Sequence, residues 1–121
     1  MNVKYLFEGV DVSARTRIYI EKRLEAIERI LSGDAVKEAT IAEVEIDKDK
    51  RGEFRVEIML KTPGNTFRSE DVSDAIENAM DLVQEDLKRQ IREGKERSDT
   101  LKKRGARSIK KKIVIDKGAR F

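Results

Sequence analysis

Residues 42–60 read AEVEIDKDKRGEFRVEIML, and this stretch decides the fold. Apolar side chains take every second position from Ala42 to Ile46 and again from Phe54 to Leu60, with mainly charged residues between them. Because successive side chains of a strand point to opposite faces, the alternation predicts two strands with one apolar face each. The polar loop 48–52 between them indicates a β-hairpin.

The residues on either side extend this sheet. Residues 3–7 alternate in the same way and predict a first strand, while the turn at 63–65 (Pro-Gly-Asn) predicts a short fourth strand over 66–69. Ser13 is a suitable N-cap for a helix that runs to Leu31 and stops at Gly33-Asp34. Four residues of this helix recur at 4, 3, 4 spacing and form one buried stripe: Ile20, Leu24, Ile27 and Leu31.

A second helix is predicted from Val72 to Glu93. One of its faces is apolar and consists of Val72, Ile76, Ala79, Met80, Val83, Leu87 and Ile91. The predicted fold is therefore α+β, with the order β-α-β-β-β-α. We expect a four-stranded sheet with two helices packed on its one apolar face. The first two strands should either pair in parallel or lie apart.

The charge divides the chain into two parts. Residues 95–121 hold eleven Lys/Arg against three Asp/Glu, a net of +8, whereas residues 1–94 carry a net of −5. We expect a folded domain over residues 1–94, followed by a basic tail over 95–121 that is disordered when free. A basic tail on an acidic body is typical of a protein that binds a polyanion, because Lys and Arg neutralise phosphates.

The composition excludes several other functions. The chain has no Cys and no His, so we expect no metal, no cofactor and no catalytic residue. The N-terminal residues do not form a signal peptide, and no apolar stretch approaches the ~20 residues that span a bilayer. We expect a cytoplasmic protein that is not an enzyme and has neither a membrane nor a small molecule as its partner.

Three basic groups are candidates for binding RNA. Arg15, Lys22 and Arg29 are seven residues apart and lie opposite the buried stripe of the first helix. Glu21, Glu25 and Glu28 lie on one flank of the same helix, although a solvated surface with pairs such as Glu25–Arg29 explains the pattern equally well. The second group, at the end of the last helix, consists of Lys88, Arg89 and Arg92. The third, in the tail, consists of Lys102, Lys103, Arg104, Arg107, Lys110, Lys111 and Lys112.

In this order of elements the sequence resembles the ribosome hibernation-promoting factor family, which includes the ribosome-associated inhibitor proteins. The run from Val10 to Leu24, VDVSARTRIYIEKRL, is similar to the family's first-helix signature. Residues 67–70 (FRSE) resemble its fourth strand, and residues 87–91 (LKRQI) resemble the end of its last helix. Residues 75–77 (AIE) differ from the Asp-Met-Tyr that opens the family's last helix.

The resemblance implies a function. A member of this family binds the small ribosomal subunit in the channel between head and body, where mRNA and tRNA pass, so that translation stops. The family's rRNA-contacting basic positions correspond here to Lys22, Arg23, Arg89 and Arg92. Residues 96–121 are too few and too charged for the folded dimerisation domain of the long members, so the chain resembles a short form.

Two alternatives remain. The first is a module like the double-stranded-RNA-binding domains, which place a Lys cluster at the start of the last helix, where this chain has Glu70, Asp71 and Asp74. The second is a protein–protein module that adds a strand to a partner, through its sheet edge or through the tail segment 113–115.

Overall fold

The structure is a computed structural model, and it describes residues 1–94. Its elements follow one another as β1 (Asn2–Glu8), α1 (Ala14–Arg29), α2 (Asp34–Ala39), β2 (Ile41–Lys48), β3 (Phe54–Thr62) and β4 (Asn65–Ser73). A further helix, α3, covers residues 76–94. The α+β class and the predicted order of the main elements are confirmed, and α2 is an addition to them.

The four strands form one sheet in the order β1-β2-β3-β4. The first two strands are parallel, with Val3 opposite Ala42, and the other two pairs are antiparallel hairpins. In the β2–β3 connection the Asp49 carboxylate accepts hydrogen bonds from the backbone N–H groups of Arg51 and Glu53, both at 2.9 Å. In the β3–β4 connection Gly64 has φ 86°, a left-handed conformation that suits glycine.

The core lies between the apolar face of the sheet and helices α1 and α3. The predicted stripe of α1 is buried, and so is that of α3 from Ile76 onward. The sheet contributes the alternating apolar residues of β2 and β3, so the predicted buried faces of these two strands are also confirmed. The fully buried large side chains come from α1, β2, β3 and α3. They include Ile20, Ile27, Ile46, Ile58, Leu60, Met80 and Leu87.

The end of the first helix was predicted wrongly. α1 ends at Arg29, and residues 34–39, where a stop was expected, form the short helix α2. Gly33 precedes α2 with φ 87°, a left-handed conformation that suits glycine in the connection between the two helices. Val36 of α2 packs against the core, and the buried Thr40 hydroxyl donates a hydrogen bond to the Val36 carbonyl at 2.6 Å.

The boundary between the last strand and the last helix was also predicted wrongly. β4 extends to Ser73, and its ladder with β3 places Val72 opposite Arg55. Val72 is therefore a strand residue on the face without helices, where 38% of it is exposed, and it is not part of the stripe of α3. The four-residue spacing between Val72 and Ile76 imitates one helical turn, although a strand ends between them.

Candidate nucleic-acid interface

The outer face of α1 carries the first predicted basic group. Arg15, Lys22 and Arg29 are exposed, on the side opposite the buried residues Ile20 and Ile27. Within residues 1–94 no ion pair or hydrogen bond engages these three side chains. We call these three residues the α1 ridge. The predicted Glu25–Arg29 pair is not formed there, so the guanidinium of Arg29 is available to a ligand.

Ile18 adds an apolar component to this surface. Its helical position lies between those of Arg15 and Lys22, and 52% of the residue is exposed. Cationic groups flanking an apolar side chain suit a partner that has both phosphates and flat apolar surface, as a nucleic acid does. The α1 ridge can therefore bind a polyanion without first breaking an ion pair.

Arg23 belongs to a cluster that joins the two long helices. Its Nε lies 3.1 Å from the Asp81 carboxylate of α3, and its Nη2 donates a hydrogen bond of 2.7 Å to the Tyr19 hydroxyl. That hydroxyl donates in turn to Asp81 at 2.6 Å, and the guanidinium lies 4.6 Å from the centre of the Tyr19 ring. The hydrogen bond to Tyr19, followed by the charge of Asp81, raises the pKa of Arg23. Arg23 thus has a structural role, whatever it contacts in a complex.

A second contact between the helices lies one turn closer to their N-termini. The Thr16 hydroxyl donates a hydrogen bond of 2.8 Å to the Glu77 carboxylate. Glu77 is one of the three residues at which the chain departs from the Asp-Met-Tyr pattern. Because Thr16 contacts Glu77 while Tyr19 and Arg23 contact Asp81, α1 and α3 run side by side in the same direction.

The second predicted group, at the end of α3, is divided. Lys88 is partly buried and lies within about 20° of Asp81 around the helix, on the side that faces α1. Arg89 is exposed and forms an ion pair with Asp86. Hydrogen bonds from Ser69 and then from Arg89 lower the pKa of Asp86, so Asp86 joins α3 to β4 through Ser69, while Arg89 pairs with it within the helix. Arg92 is exposed in the last described turn.

The third predicted group lies outside the described residues. It comprises Lys102, Lys103, Arg104, Arg107, Lys110, Lys111 and Lys112, whose role in RNA binding stays a prediction.

The face of the sheet without helices carries an ionic network. Arg55 is at its centre, where its guanidinium lies 3.3 Å from Glu45, 2.8 Å from Asp47 and Glu70, and 2.9 Å from Glu57. The hydrogen bond from Arg55 lowers the pKa of Asp47 and raises that of the guanidinium. An excess of carboxylates on this face makes it a poor surface for phosphates. The network was not predicted, although the alternation of Glu, Asp and Arg on the wet faces of β2 and β3 was visible in the sequence.

Two other kinds of feature are missing from residues 1–94. No group of three or more acidic side chains is arranged to hold a metal ion. No helix there is long and apolar enough to cross a membrane.

The fold and the site define a class of protein: an α+β domain with a four-stranded sheet, and with a cationic ridge on the outer face of its first helix. The sequence model of the family described as Sigma 54 modulation protein / S30EA ribosomal protein matches residues 3–99. The chain belongs to this family, and the predicted family resemblance is thereby confirmed.

Individual relatives agree with this assignment. A ribosome hibernation promotion factor from Lactococcus lactis subsp. cremoris (strain MG1363) is 30% identical over 90 residues, which cover 74% of this chain and 47% of the relative. The chain thus spans about half the length of that curated relative.

Two solved structures are similar in fold. The Thermus thermophilus Protein Y N-terminal domain has a TM-score of 0.64 at 25% identity, over 75% of this chain and 96% of that domain. A ribosomal subunit interface protein from Coxiella burnetii has a TM-score of 0.65 at 24% identity, over 78% of this chain and 98% of that protein. The second likeness supports the fold alone.

Proposed function

We propose that this protein is a ribosome hibernation factor, which binds the small ribosomal subunit in the channel for mRNA and tRNA and so inhibits translation. The family and the name of the Lactococcus lactis relative support a role on the ribosome. We assign no catalytic step to the protein, and we place it in the cytoplasm, where ribosomes work.

The α1 ridge is the observation that carries the proposal. Its three cations are exposed and engage no acidic partner within residues 1–94, although that part of the chain has 21 Asp/Glu against 16 Lys/Arg. Positions seven residues apart are separated by about 10 Å along a helix, so the ridge can contact several phosphates spaced along an RNA backbone. Such contacts release condensed counterions and give affinity without reading a sequence.

The other predicted residues take different parts in this proposal. The exposed portion of Arg23 adds a further cation beside the ridge, whereas Arg89 is held in an ion pair with Asp86 of its own helix. Lys88 and Arg92 remain candidate phosphate contacts on α3. The tail residues would add phosphate contacts outside the domain. The acidic face of the sheet would point away from the RNA.

The alternative of a module for double-stranded RNA has no support in the geometry. Glu70 and Asp71 are residues of β4, so they do not open the last helix as expected. The residues that do precede and open α3 include Asp74, Glu77 and Asp81, and none of residues 74–81 is basic. A phosphate-binding Lys cluster is therefore missing from the position where those domains have one.

Sedimentation with purified ribosomal particles tests the proposal. We expect the protein to migrate with small subunits and intact ribosomes through a sucrose gradient at low salt, and to be displaced by mRNA and tRNA. In a purified translation system it should inhibit synthesis in proportion to its occupancy of the ribosomes. The proposal fails if saturating ribosomes leave the protein at the top of the gradient, or if bound mRNA and tRNA do not compete with it.

A further inference from the structure

The outer edge of β1 has unused backbone hydrogen-bonding groups. The Asn2 N–H donates to the Thr40 carbonyl at 2.9 Å, so Asn2 and every second residue after it face β2. The intervening residues Val3, Tyr5 and Phe7 point their N–H and C=O groups away from the sheet. In the described part of the chain β1 has β2 as its single neighbouring strand. Such an edge is a template for one more strand.

The opposite edge of the sheet is less open. The side-chain amide of Gln90 in α3 donates a hydrogen bond of 2.9 Å to the Arg68 carbonyl of β4. This bond occupies an outward-facing acceptor in the middle of that strand. No side chain among residues 1–94 bonds to the edge of β1 in this way, so β1 is the edge at which a strand can be added.

A groove between β1 and α1 runs along this edge on the helix side. Its volume is about 320 Å³, and its floor consists of apolar side chains, including Val3, Tyr5 and Leu24. Its wall is the acidic flank of α1. The carboxylate of Glu28 already binds the N-terminal amine of Met1 at 2.8 Å.

The other two carboxylates of the wall are exposed. Glu21 has a long contact, at 4.0 Å, with Arg17, whose guanidinium also lies 4.6 Å from the centre of the Tyr5 ring. Glu25 forms no ion pair within residues 1–94. A side chain that enters the groove from an added strand would meet the carboxylate of Glu25 and would compete with Arg17 for that of Glu21. A long cationic side chain, Lys or Arg, suits this path, because its methylene groups can cover the apolar floor while its charge reaches the carboxylates.

The other side of the same edge carries one exposed apolar side chain among charged ones. Leu6 points to the face without helices and is 52% exposed, beside a shallow groove of about 290 Å³ that also includes Met59. Side chains of a strand alternate between faces, so the neighbours of the cationic residues would lie against Leu6. An apolar side chain fits there.

We propose that the β1 edge binds an extended peptide in which Lys or Arg alternates with apolar residues, and that this peptide adds as a fifth strand of the sheet. The backbone supplies the hydrogen bonds, the Glu21–Glu25 wall selects the cations, and Leu6 selects the apolar positions. The partner is thus a basic protein segment. This inference does not depend on ribosome binding, and its test contains no ribosomes.

The probe is a synthetic peptide of eight residues that alternates Lys and Val, capped at both ends and titrated into the full-length chain. We expect the amide resonances of Val3, Tyr5 and Phe7 to shift and their hydrogen exchange to slow. A Glu/Val peptide of equal length should not bind, nor should a Lys/Val peptide N-methylated at alternate residues, because it cannot complete the ladder.

Matched variants test the selectivity. Glu21→Gln with Glu25→Gln should weaken binding of the Lys/Val peptide about three- to tenfold, as expected for two exposed ion pairs. Glu38→Gln with Glu85→Gln removes the same charge from α2 and from the outer face of α3, and should leave the affinity unchanged.

Several outcomes would overturn the proposal. They are equal binding of the Glu/Val or the N-methylated peptide, equal weakening by both pairs of variants, and shifts confined to residues away from β1. Protection of the β1 amides that rises with protein concentration, without any peptide, would also overturn it, because the occupant would then be a second copy of the chain.

Discussion

At the scale of single residues, Arg55 is the centre of the ionic network on the face of the sheet without helices. Four carboxylates surround its guanidinium within 3.3 Å, and it is mostly buried. Burial pushes the pKa of Glu57 up, but the hydrogen bonds from Arg55 and Arg68 outweigh it and the pKa falls. Asp47 also has a lowered pKa, mainly through its hydrogen bond from Arg55. Removal of the guanidinium would leave these carboxylates to repel one another.

We therefore expect Arg55→Met to lower the free energy of unfolding at pH 7 by about 1–3 kcal/mol. Carboxylates whose pKa is lower in the folded state stabilise it above their unfolded pKa of about 4, and this contribution disappears as the pH falls through the folded values. The difference between variant and parent should thus shrink below pH 4, as measured by urea unfolding.

Lys61→Met is the matched control for that experiment. Lys61 lies on the same strand and face but forms one exposed ion pair, at 3.4 Å from Glu43. Loss of this ion pair should lower the free energy of unfolding by less than about 1 kcal/mol, and this difference should change little with pH. Equal effects of the two substitutions would show that Arg55 is not the centre of the network.

Tyr19 provides a second prediction at this scale. Its hydroxyl donates to Asp81 of α3 and accepts from Arg23, so Tyr19→Phe should destabilise the protein by about 1 kcal/mol. Arg23→Met should also lower the melting temperature, whereas Lys22→Met, one residue away on the exposed ridge, should leave it unchanged. A lower melting temperature for Lys22→Met alone would contradict the assignment of these roles.

At the scale of elements, the apolar stripes predicted the buried faces of α1, β2 and β3, because burial requires the period of each element. The contacts between elements were not predictable in the same way. Arg23 and Asp81 are 58 positions apart, and each is an ordinary charged residue in its own helix. The sequence therefore identified the cations of α1, but not which of them is held by α3.

The boundary between β4 and α3 gives a prediction for stability. Val72 lies on the exposed face of β4, so Val72→Thr should change the free energy of unfolding by less than about 0.5 kcal/mol. Ile76 is buried at the start of α3, and Ile76→Ala should cost about 2–4 kcal/mol. Thermal or urea unfolding of both variants tests this boundary. If the helix began at Val72 instead, the two substitutions would lower the free energy of unfolding by comparable amounts.

At the scale of the whole molecule, charge is distributed unevenly. Within residues 1–94 the exposed, unpaired cations of the ridge lie on the helix side, and the Arg55 network with its excess of carboxylates lies on the opposite side. The division of the chain at residue 94 and the role of the basic tail in RNA binding stay predictions. The net charges of the two parts were visible in the sequence, but the sorting of charges between two faces required the fold.

The tail can be tested by truncation after Lys95. If five of its cations contact phosphates, the slope of log affinity against log salt should become shallower by about 4 on truncation. The shortened chain should bind ribosomes more weakly and melt like the full chain. Equal slopes for the two chains would show that the tail makes no phosphate contact.

The most direct test of the central claim is the salt dependence of binding to purified small subunits. Two triple variants are compared with the parent: Arg15→Gln, Lys22→Gln and Arg29→Gln on the ridge, and Lys4→Gln, Lys50→Gln and Lys61→Gln on the sheet face and its hairpin loop. Both remove three positive charges from exposed sites. The account predicts that the slope of log affinity against log salt becomes shallower by about 2–3 in the ridge variant. The sheet variant should keep the slope of the parent. Identical slopes for the two variants would contradict it.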